Sequence, residues 1–372
     1  MKYNQWYDTG IKTSMLGFGC MRFAYKDDKV DKELAIKLVR NAYENGVNYF
    51  DTAYVYLGGE SEPILGEAIS VFPRETYHLA TKYSFWNLES QEEIESMIDK
   101  QLTNLKTDYI DFYLLHALNK DRFEYIKKHN LLDIVKKWKE QGKIRHIGFS
   151  FHDDQEKFFN ILNYYDWEFC QIQFNYMDYL SQQGQEGYNE LVKRKIPIIV
   201  MEPLKGGKLC AFNPEIAKKY KEYSDDSLAK WAIRWVLSQK GVMTILSGMN
   251  EMSQLDENLD IVSNFAPLNE KEKSLVLEVS ELLRKVEVVG CTGCKYCMPC
   301  PKGVDIPRNL RLLNDYEMYR SIGDVKWQYG FLKKNNADAS VCVNCKACVS
   351  KCPQQINIPD YLKKVRELVN DC

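Results

Sequence analysis

Eight short apolar runs alternate with amphipathic stretches along most of the chain, and that repeat leaves few folds open. The runs cover residues 15–20, 47–50, 77–80, 109–115, 145–149, 169–173, 197–201 and 242–246. They are short and mostly β-branched or aromatic, as strands buried on both faces should be. Helical periodicity lies between them. Residues 92–105 place Ile94, Met97, Ile98, Leu102 and Leu105 on one face, and Ser90 with Glu93 reads as a capping box. Residues 227–238 do the same with Leu228, Trp231, Ala232, Trp235 and Val236. Eight such units over about 250 residues fit one closed (β/α)8 barrel, a TIM-barrel α/β fold. A doubly wound sheet is the alternative, but no glycine-rich dinucleotide fingerprint follows the first run. The segment before Met15 is expected to form a hairpin over the barrel's bottom.

The pattern changes after Phe265. Residues 271–286 read as one more helix, and a cysteine-rich segment begins at Gly290. Two domains follow, 1–287 and 288–372. Of the 12 cysteines, Cys20, Cys170 and Cys210 are scattered and are expected to be barrel packing. Eight others form two runs, Cys291, Cys294, Cys297, Cys300-Pro and Cys342, Cys345, Cys348, Cys352-Pro. The second has the spacing of a bacterial ferredoxin; the first is one residue shorter before its last cysteine. Cysteines three apart on a tight turn can aim thiolates at one cubane, and the fourth of such a run normally ligates the other cluster. The expected sets are therefore Cys291, Cys294, Cys297 and Cys352 for one [4Fe-4S] cluster, and Cys342, Cys345, Cys348 and Cys300 for the other. Zinc needs only four ligands, so two runs of four favour clusters. Cys372 is expected to be a free thiol. Residues 305–329 read as helix, with Leu310, Leu313, Tyr316 and Tyr319 as apolar positions that dock this ferredoxin-like domain. So short a segment is expected to have little apolar core of its own.

The formal net charge of −2 gives no reason to expect nucleic acid or an anionic membrane as partner. Residues 1–10 hold no apolar run, and no stretch is apolar for long enough to cross a bilayer. A cytoplasmic location is the expectation.

In a parallel barrel, polar residues at strand C-termini line the site. Asp51, Lys82 and His116 end the second, third and fourth runs, and Tyr56 follows Asp51 by five residues. That set suits carbonyl reduction. A hydride arriving at carbon leaves charge on oxygen, so a proton is needed, and Tyr56 can give it if its pKa is lowered. Lys82 is expected to lower it, Asp51 to orient Lys82, and His116 to hydrogen-bond the carbonyl. Tyr54, nearby, reads as packing. Phe23, Tyr83, Phe85, Trp86 and the loop 117–130 follow strand ends and are expected to shape the substrate pocket.

Phe50-Asp-Thr-Ala-Tyr-Val-Tyr56, Ala80-Thr-Lys82 and Tyr113-Leu-Leu-His116 resemble the catalytic segments of the aldo/keto reductase superfamily in order and spacing. Leu16-Gly-Phe-Gly19, Ile144-Arg-His-Ile-Gly-Phe-Ser150, Gln171-Ile-Gln-Phe-Asn175 and Glu202-Pro-Leu-Lys-Gly-Gly207 extend the resemblance. It implies an NADH- or NADPH-dependent oxidoreductase acting on a small carbonyl or alcohol. It also implies a cofactor site: Ser150 and Gln171 for the carboxamide, Pro203, Leu204, Gly206, Lys208 and Gly248 for the diphosphate, and Glu257 and Asn258 for the adenine. Gly19, Met21, Met201 and Gln254 complete that set. Two positions depart from the family pattern. Phe151 stands where many members have a polar carboxamide contact, and Met201 where many have an aromatic that stacks on the ring. Residues 246–260 contain no Lys or Arg, which leans toward NADH.

Hydride transfer moves two electrons and a cluster passes one, so a flavin would be the natural converter. Three functions stand open: a reductase with structural or sensory clusters, an electron-transfer enzyme coupled to a partner ferredoxin or flavoprotein, and a redox-sensing module without catalysis. The intact tetrad argues against the third, and the first is preferred to the second.

Overall fold

The computed structural model describes residues 1–88 and 90–370. Each of the eight apolar runs forms a strand: β1 (Leu16–Gly19), β2 (Tyr49–Asp51), β3 (His78–Tyr83), β4 (Ile110–Leu118), β5 (Ile144–Phe151), β6 (Phe169–Gln173), β7 (Ile198–Met201) and β8 (Val242–Ser247). They close into one parallel barrel in chain order, β8 pairing with β1. The register sets Gly19 beside Asp51 and Asp51 beside Ala80. On the other side it sets Ser150 beside Gln171 and Gln173 beside Met201. Groups at several strand ends are thus brought level by the backbone ladder itself.

The expected N-terminal hairpin pairs Tyr3–Gln5 with Lys12–Ser14. Its Trp6 is buried, stacks on Phe112 at 4.5 Å and donates to Thr13 Oγ1 at 2.8 Å. It joins the core made by Tyr49, Phe112, Phe169 and Met243, toward the strands' N-terminal ends. A second hairpin, Tyr25–Lys26 with Lys29–Val30, was not foreseen; Asp27 and Asp28 both take positive φ in its two-residue turn.

Helix Gln91–Leu105 starts at the expected Ser90–Glu93 capping box. Its buried face includes Gln101 in place of Leu102. Gln101 donates to Glu62 at 2.7 Å and accepts from Tyr113 at 2.6 Å, so hydrogen bonds carry a polar side chain into the interior.

The chain divides into two compact units: Met1–Gly206 with Ala229–Asn269, and Gly207–Leu228 with Glu270–Cys372. This division differs from a single cut near Val288. Helix Glu270–Arg284 and the segment after β7 count with the second unit. In that unit Lys208 pairs with Asp324 at 2.7 Å, Asn213 N–H donates to Met318 O at 3.0 Å, and Lys219 pairs with Glu278 at 2.6 Å.

The second unit corrects two expectations. Residues 305–329 form two helices, Ile306–Tyr319 and Ile322–Lys334, because Arg320 takes a left-handed conformation at the break. The unit also has an apolar core, built from Val304, Ile306, Leu310, Leu313, Val325, Leu332, Leu362 and Val365. The two inserted helices supply much of that core. Among the described residues, no helix is long and apolar enough to cross a membrane.

Candidate active site and cluster ligands

β2 and β3 end side by side, so Asp51 and Lys82 emerge as neighbours. Lys82 Nζ lies 2.6 Å from Asp51 Oδ1 and donates to Thr52 O at 2.6 Å. Both side chains are buried, at 1% and 4% exposure. A pair so enclosed holds its geometry because releasing either charge into the interior is costly. Burial works against the Lys82 ammonium, but Asp51 and Tyr56 outweigh it and raise its pKa. Lys82 therefore stays charged.

Tyr56 follows in a short 3-10 turn that contains Leu57 at positive φ. Lys82 Nζ lies 4.8 Å from the centre of its ring, and the ring meets His116 edge-on at 5.7 Å. The direction expected for its phenol is corrected here. Burial raises the pKa above 10.0, Lys82 pulls it down, Asp51 pushes it up, and the net direction is up. Desolvation of the phenolate exceeds the help from an ammonium already shared with a carboxylate.

His116 ends the straight part of β4 and makes a 2.7 Å hydrogen bond between Nδ1 and Ser84 Oγ. Burial first, then Lys82 and Arg122, hold its imidazole well below the ordinary 6.5. It is neutral at physiological pH.

The sequence-derived pocket residues separate. Trp86 lies 5.0 Å from His116. Phe85 is edge-on to Trp86 and stacks on Tyr125 at 5.5 Å. Tyr83 does not belong to the pocket: its hydroxyl donates to Ile94 O and its ring packs on Trp138 in the helical layer. The pleat explains this, since Lys82 points inward and its neighbour must point out. Tyr54 lines a surface hollow with Ser96, Asp99 and Lys100.

The residues implied for the cofactor fit a nicotinamide nucleotide at one end and diverge at the other. Gln171 is buried, and its Oε1 has no hydrogen-bond partner while Nε2 meets Met201 Sδ at 3.7 Å. An orphaned amide oxygen between Ser150 and Met201 is a ready acceptor for a carboxamide N–H. Ser150 Oγ accepts from Ala117 N–H at 2.7 Å. Phe151 is buried against Phe158 and offers no polar contact. Pro203 is buried and Leu204 half-buried in a loop where Glu202, Lys205 and Gly206 all take positive φ. Asn258 donates to Ser247 Oγ at 2.9 Å and Gln254 accepts from Asn250 N–H at 3.0 Å. Met21 and Glu257 are exposed. Lys208 departs from its expected role: it is held by Asp324 and Asp315, within the second unit.

One residue was missed. A Cβ on Gly206 would stand 2.9 Å from Arg22 Nη2, and one on Gly248 3.1 Å from the Arg22 stem. Arg22 therefore lies against both glycine loops assigned to the diphosphate. No periodicity marks it; the only signal was its place directly after β1 and Met21.

The eight cysteines of the two runs line two separate pockets. One small cavity is walled by Cys291, Cys294, Cys297 and Cys352, with Leu310, Ile356 and Ile358. A second is walled by Cys300, Cys342, Cys345 and Cys348, with Pro359 and Leu362. Ile306 borders both. The charge neighbours of Cys297 are Cys291, Cys294 and Cys352, and burial ahead of these raises its pKa. Among the described residues no three His, Cys, Asp or Glu groups converge closely enough to hold a single ion. Each set rings a cavity instead, which fits a cluster bound by four thiolates. Cys20 and Cys170 are buried as expected, but Cys210 is exposed, because it lies in the segment outside the barrel. Cys372 lies outside the described residues.

A parallel barrel whose strand ends gather a phenol, an ammonium–carboxylate pair and a neutral imidazole has the equipment of a carbonyl-handling oxidoreductase. Comparison with known proteins agrees. Residues 15–281 match the aldo/keto reductase family, and residues 290–358 match the 4Fe-4S dicluster domain. The chain belongs to the aldo/keto reductase family; it is an oxidoreductase that carries a ferredoxin-like iron–sulfur domain. It is 25% identical over 308 residues to L-galactose dehydrogenase of Arabidopsis thaliana, covering 75% of this chain and 93% of that one. It is 25% identical over 329 residues to the NADH-specific methylglyoxal reductase of Escherichia coli, covering 74% and 98%. Among solved structures, an aldo-keto reductase from Bacillus halodurans in its holo form superposes with a TM-score of 0.63 at 24% identity, over 75% of this chain and 96% of that one. An aldo-keto reductase from Klebsiella pneumoniae in complex with NADPH does so with 0.62 at 20%, over 76% and 95%. The family match supports a nicotinamide cofactor in the barrel, and the dicluster match supports iron–sulfur in the C-terminal region.

Proposed function

We propose that the barrel reduces a small carbonyl compound with a nicotinamide nucleotide, and that the C-terminal domain holds two [4Fe-4S] clusters on the crossed cysteine sets. The observation that carries the first part is the enclosed Lys82–Asp51 pair beneath the Tyr56 ring, with a neutral His116 at its edge. A bound nicotinamide supplies the hydride. Gln171 and Ser150 hold its carboxamide, and Arg22 with the 203–206 loop meets the diphosphate. A raised pKa keeps Tyr56 protonated at neutral pH, which is the state a proton donor needs. Tyr56 hands that proton to the carbonyl oxygen. Lys82, fixed by Asp51, stabilises the phenolate left behind. In the tautomer in which Nδ1 accepts from Ser84 Oγ, the His116 proton sits on Nε2, where it can hydrogen-bond the same oxygen.

The absence of a cation in residues 246–260 supports NADH over NADPH; Arg22 stands at the diphosphate end and does not alter that choice. The test is turnover by protein purified without oxygen, given aldehydes with NADH or NADPH and no other carrier. Reduction should proceed. Tyr56→Phe should lower it by roughly 10²–10⁴-fold while nucleotide binding, read by fluorescence, stays close to wild type. Wild-type turnover by that variant would overturn the assignment. Turnover only after adding a flavoprotein or ferredoxin would favour the electron-transfer reading.

A further inference from the structure

Among the described residues, one guanidinium near the tetrad forms no ion pair. Arg122 stands in the first turn of helix Lys120–Lys128, just after β4 has delivered His116. Its Nη1 donates to Ala117 O at 2.9 Å, and its Cζ lies 3.6 Å from the centre of the Trp86 ring. Trp86 packs against His116, which meets Tyr56. Burial alone pulls the Arg122 pKa down; no carboxylate pushes it back up. The tetrad's own acid, Asp51, holds Lys82, and Asp153 accepts the backbone N–H groups of Lys120 at 2.7 Å and Asp154 at 2.8 Å.

Buried charges are normally paired, and a half-buried arginine has already lost part of its hydration. Here one face of the guanidinium is covered by Trp86, which fixes the plane without neutralising the charge. The charge is felt at His116, where Arg122 and Lys82 both depress the imidazole. Positive potential is thus left over beside the group that meets the carbonyl. The unused N–H groups of a fixed, planar fork match a carboxylate or phosphate.

We propose that Arg122 selects the substrate: the carbonyl compound reduced here also carries an anionic group, carboxylate or phosphate, which the guanidinium receives while the carbonyl faces Tyr56 and His116. This rests on the carbonyl-reduction reading and narrows it to oxo acids or phosphorylated aldehydes and ketones. A merely structural Arg122, capping Ala117 O and stacking on Trp86, would affect all substrates alike.

Two measurements separate these. In the first, kcat/KM is compared for matched pairs, succinic semialdehyde against butanal and glyceraldehyde 3-phosphate against glyceraldehyde. Wild type should favour the charged member of at least one pair by tenfold or more, and the pair identifies the group. Arg122→Met, which keeps most of the stem, should reduce that ratio at least tenfold, chiefly through KM. Arg122→Lys should fall between. In the second, binding of glutarate and of glycerol 3-phosphate is followed by calorimetry on the full chain without turnover. At least one should bind to wild type and lose at least tenfold in affinity in Arg122→Met. That result in a protein that reduces no carbonyl would keep the anion site and remove the reductase reading. A wild type that favours neither charged member, an equal loss on charged and neutral substrates in both variants, or anion binding that ignores Arg122, overturns the proposal.

Discussion

The barrel and the cluster unit solve the same problem, holding reactive groups in place, by opposite means. In the barrel, Asp51 and Lys82 are locked by each other and by Thr52 O, and a closed ladder of strands sets their spacing. In the cluster unit the cysteines sit on loops around two cavities, most of them partly exposed, above a core of helical side chains. The first site is organised by protein contacts alone. The second rests mostly part-exposed cysteines on a helical core of its own. A site held by a buried ion pair and a site held by loops over a helical core thus coexist in one chain, and they should fail differently.

The largest difference should appear on breaking the barrel's ion pair. Lys82→Met strands a buried carboxylate and should cost roughly 3–5 kcal/mol, read as a lower urea midpoint. Lys82→Met with Asp51→Leu should recover much of that loss while remaining inactive. A single variant as stable as wild type would show that the pair is not what fixes the strand ends.

In the cluster unit the expected failure is loss of iron with the scaffold retained. Protein purified without oxygen should carry about eight irons per chain, as two four-iron cubanes require. Cys352→Ala should disturb the cluster of the first run and Cys300→Ala that of the second, each lowering iron toward half. Since the unit has its own core, far-ultraviolet dichroism should change little in either variant. Loss of the first-run cluster on Cys300→Ala, with the second intact, would show that ligation is not crossed.

A smaller effect concerns pH. With the Tyr56 pKa raised and His116 lowered, neither group changes charge between about pH 6.5 and 9. Carbonyl reduction should be level over that range, and alcohol oxidation, which needs the phenolate, should still be rising at pH 9. The sign for stability follows for His116. Its folded pKa is depressed, so its contribution is complete above the unfolded value near 6.5 and is lost as pH falls below it. A break in the reduction rate near 6.5 would mean that His116 titrates in the folded enzyme. The smallest effect is nucleotide choice: NADPH should not bind tenfold more tightly than NADH, a difference of about 1.4 kcal/mol.

Much of this was legible in the chain. The eight runs became eight strands because buried parallel strands must be short and apolar, and no other element reads that way at that spacing. Asp51, Lys82 and His116 were marked in the sequence by their place toward strand ends, Tyr56 by following Asp51 five residues on, and the cysteines by their spacing. Tyr83 was misread although the signal was present: alternation from Lys82 already turned it outward. Arg22 and Arg122 were not legible, since an arginine in a loop or first turn carries no pattern until the fold shows what it lies against. Nor was the break at Arg320, where an L-residue takes a positive φ that nothing nearby announces.

The segment Gly207–Leu228 has a consequence for how such a protein is taken apart. A C-terminal domain joined by one linker is a detachable cassette, removable with one stop codon. This unit is entered twice by the chain. A fragment ending at residue 287 would leave Lys208 without Asp324 and Asn213 without Met318, in a stretch that directly follows the loop after β7. Transplanting the iron–sulfur unit onto another barrel would likewise require carrying 207–228 along with it. In modular terms, the appendage is stitched into its host.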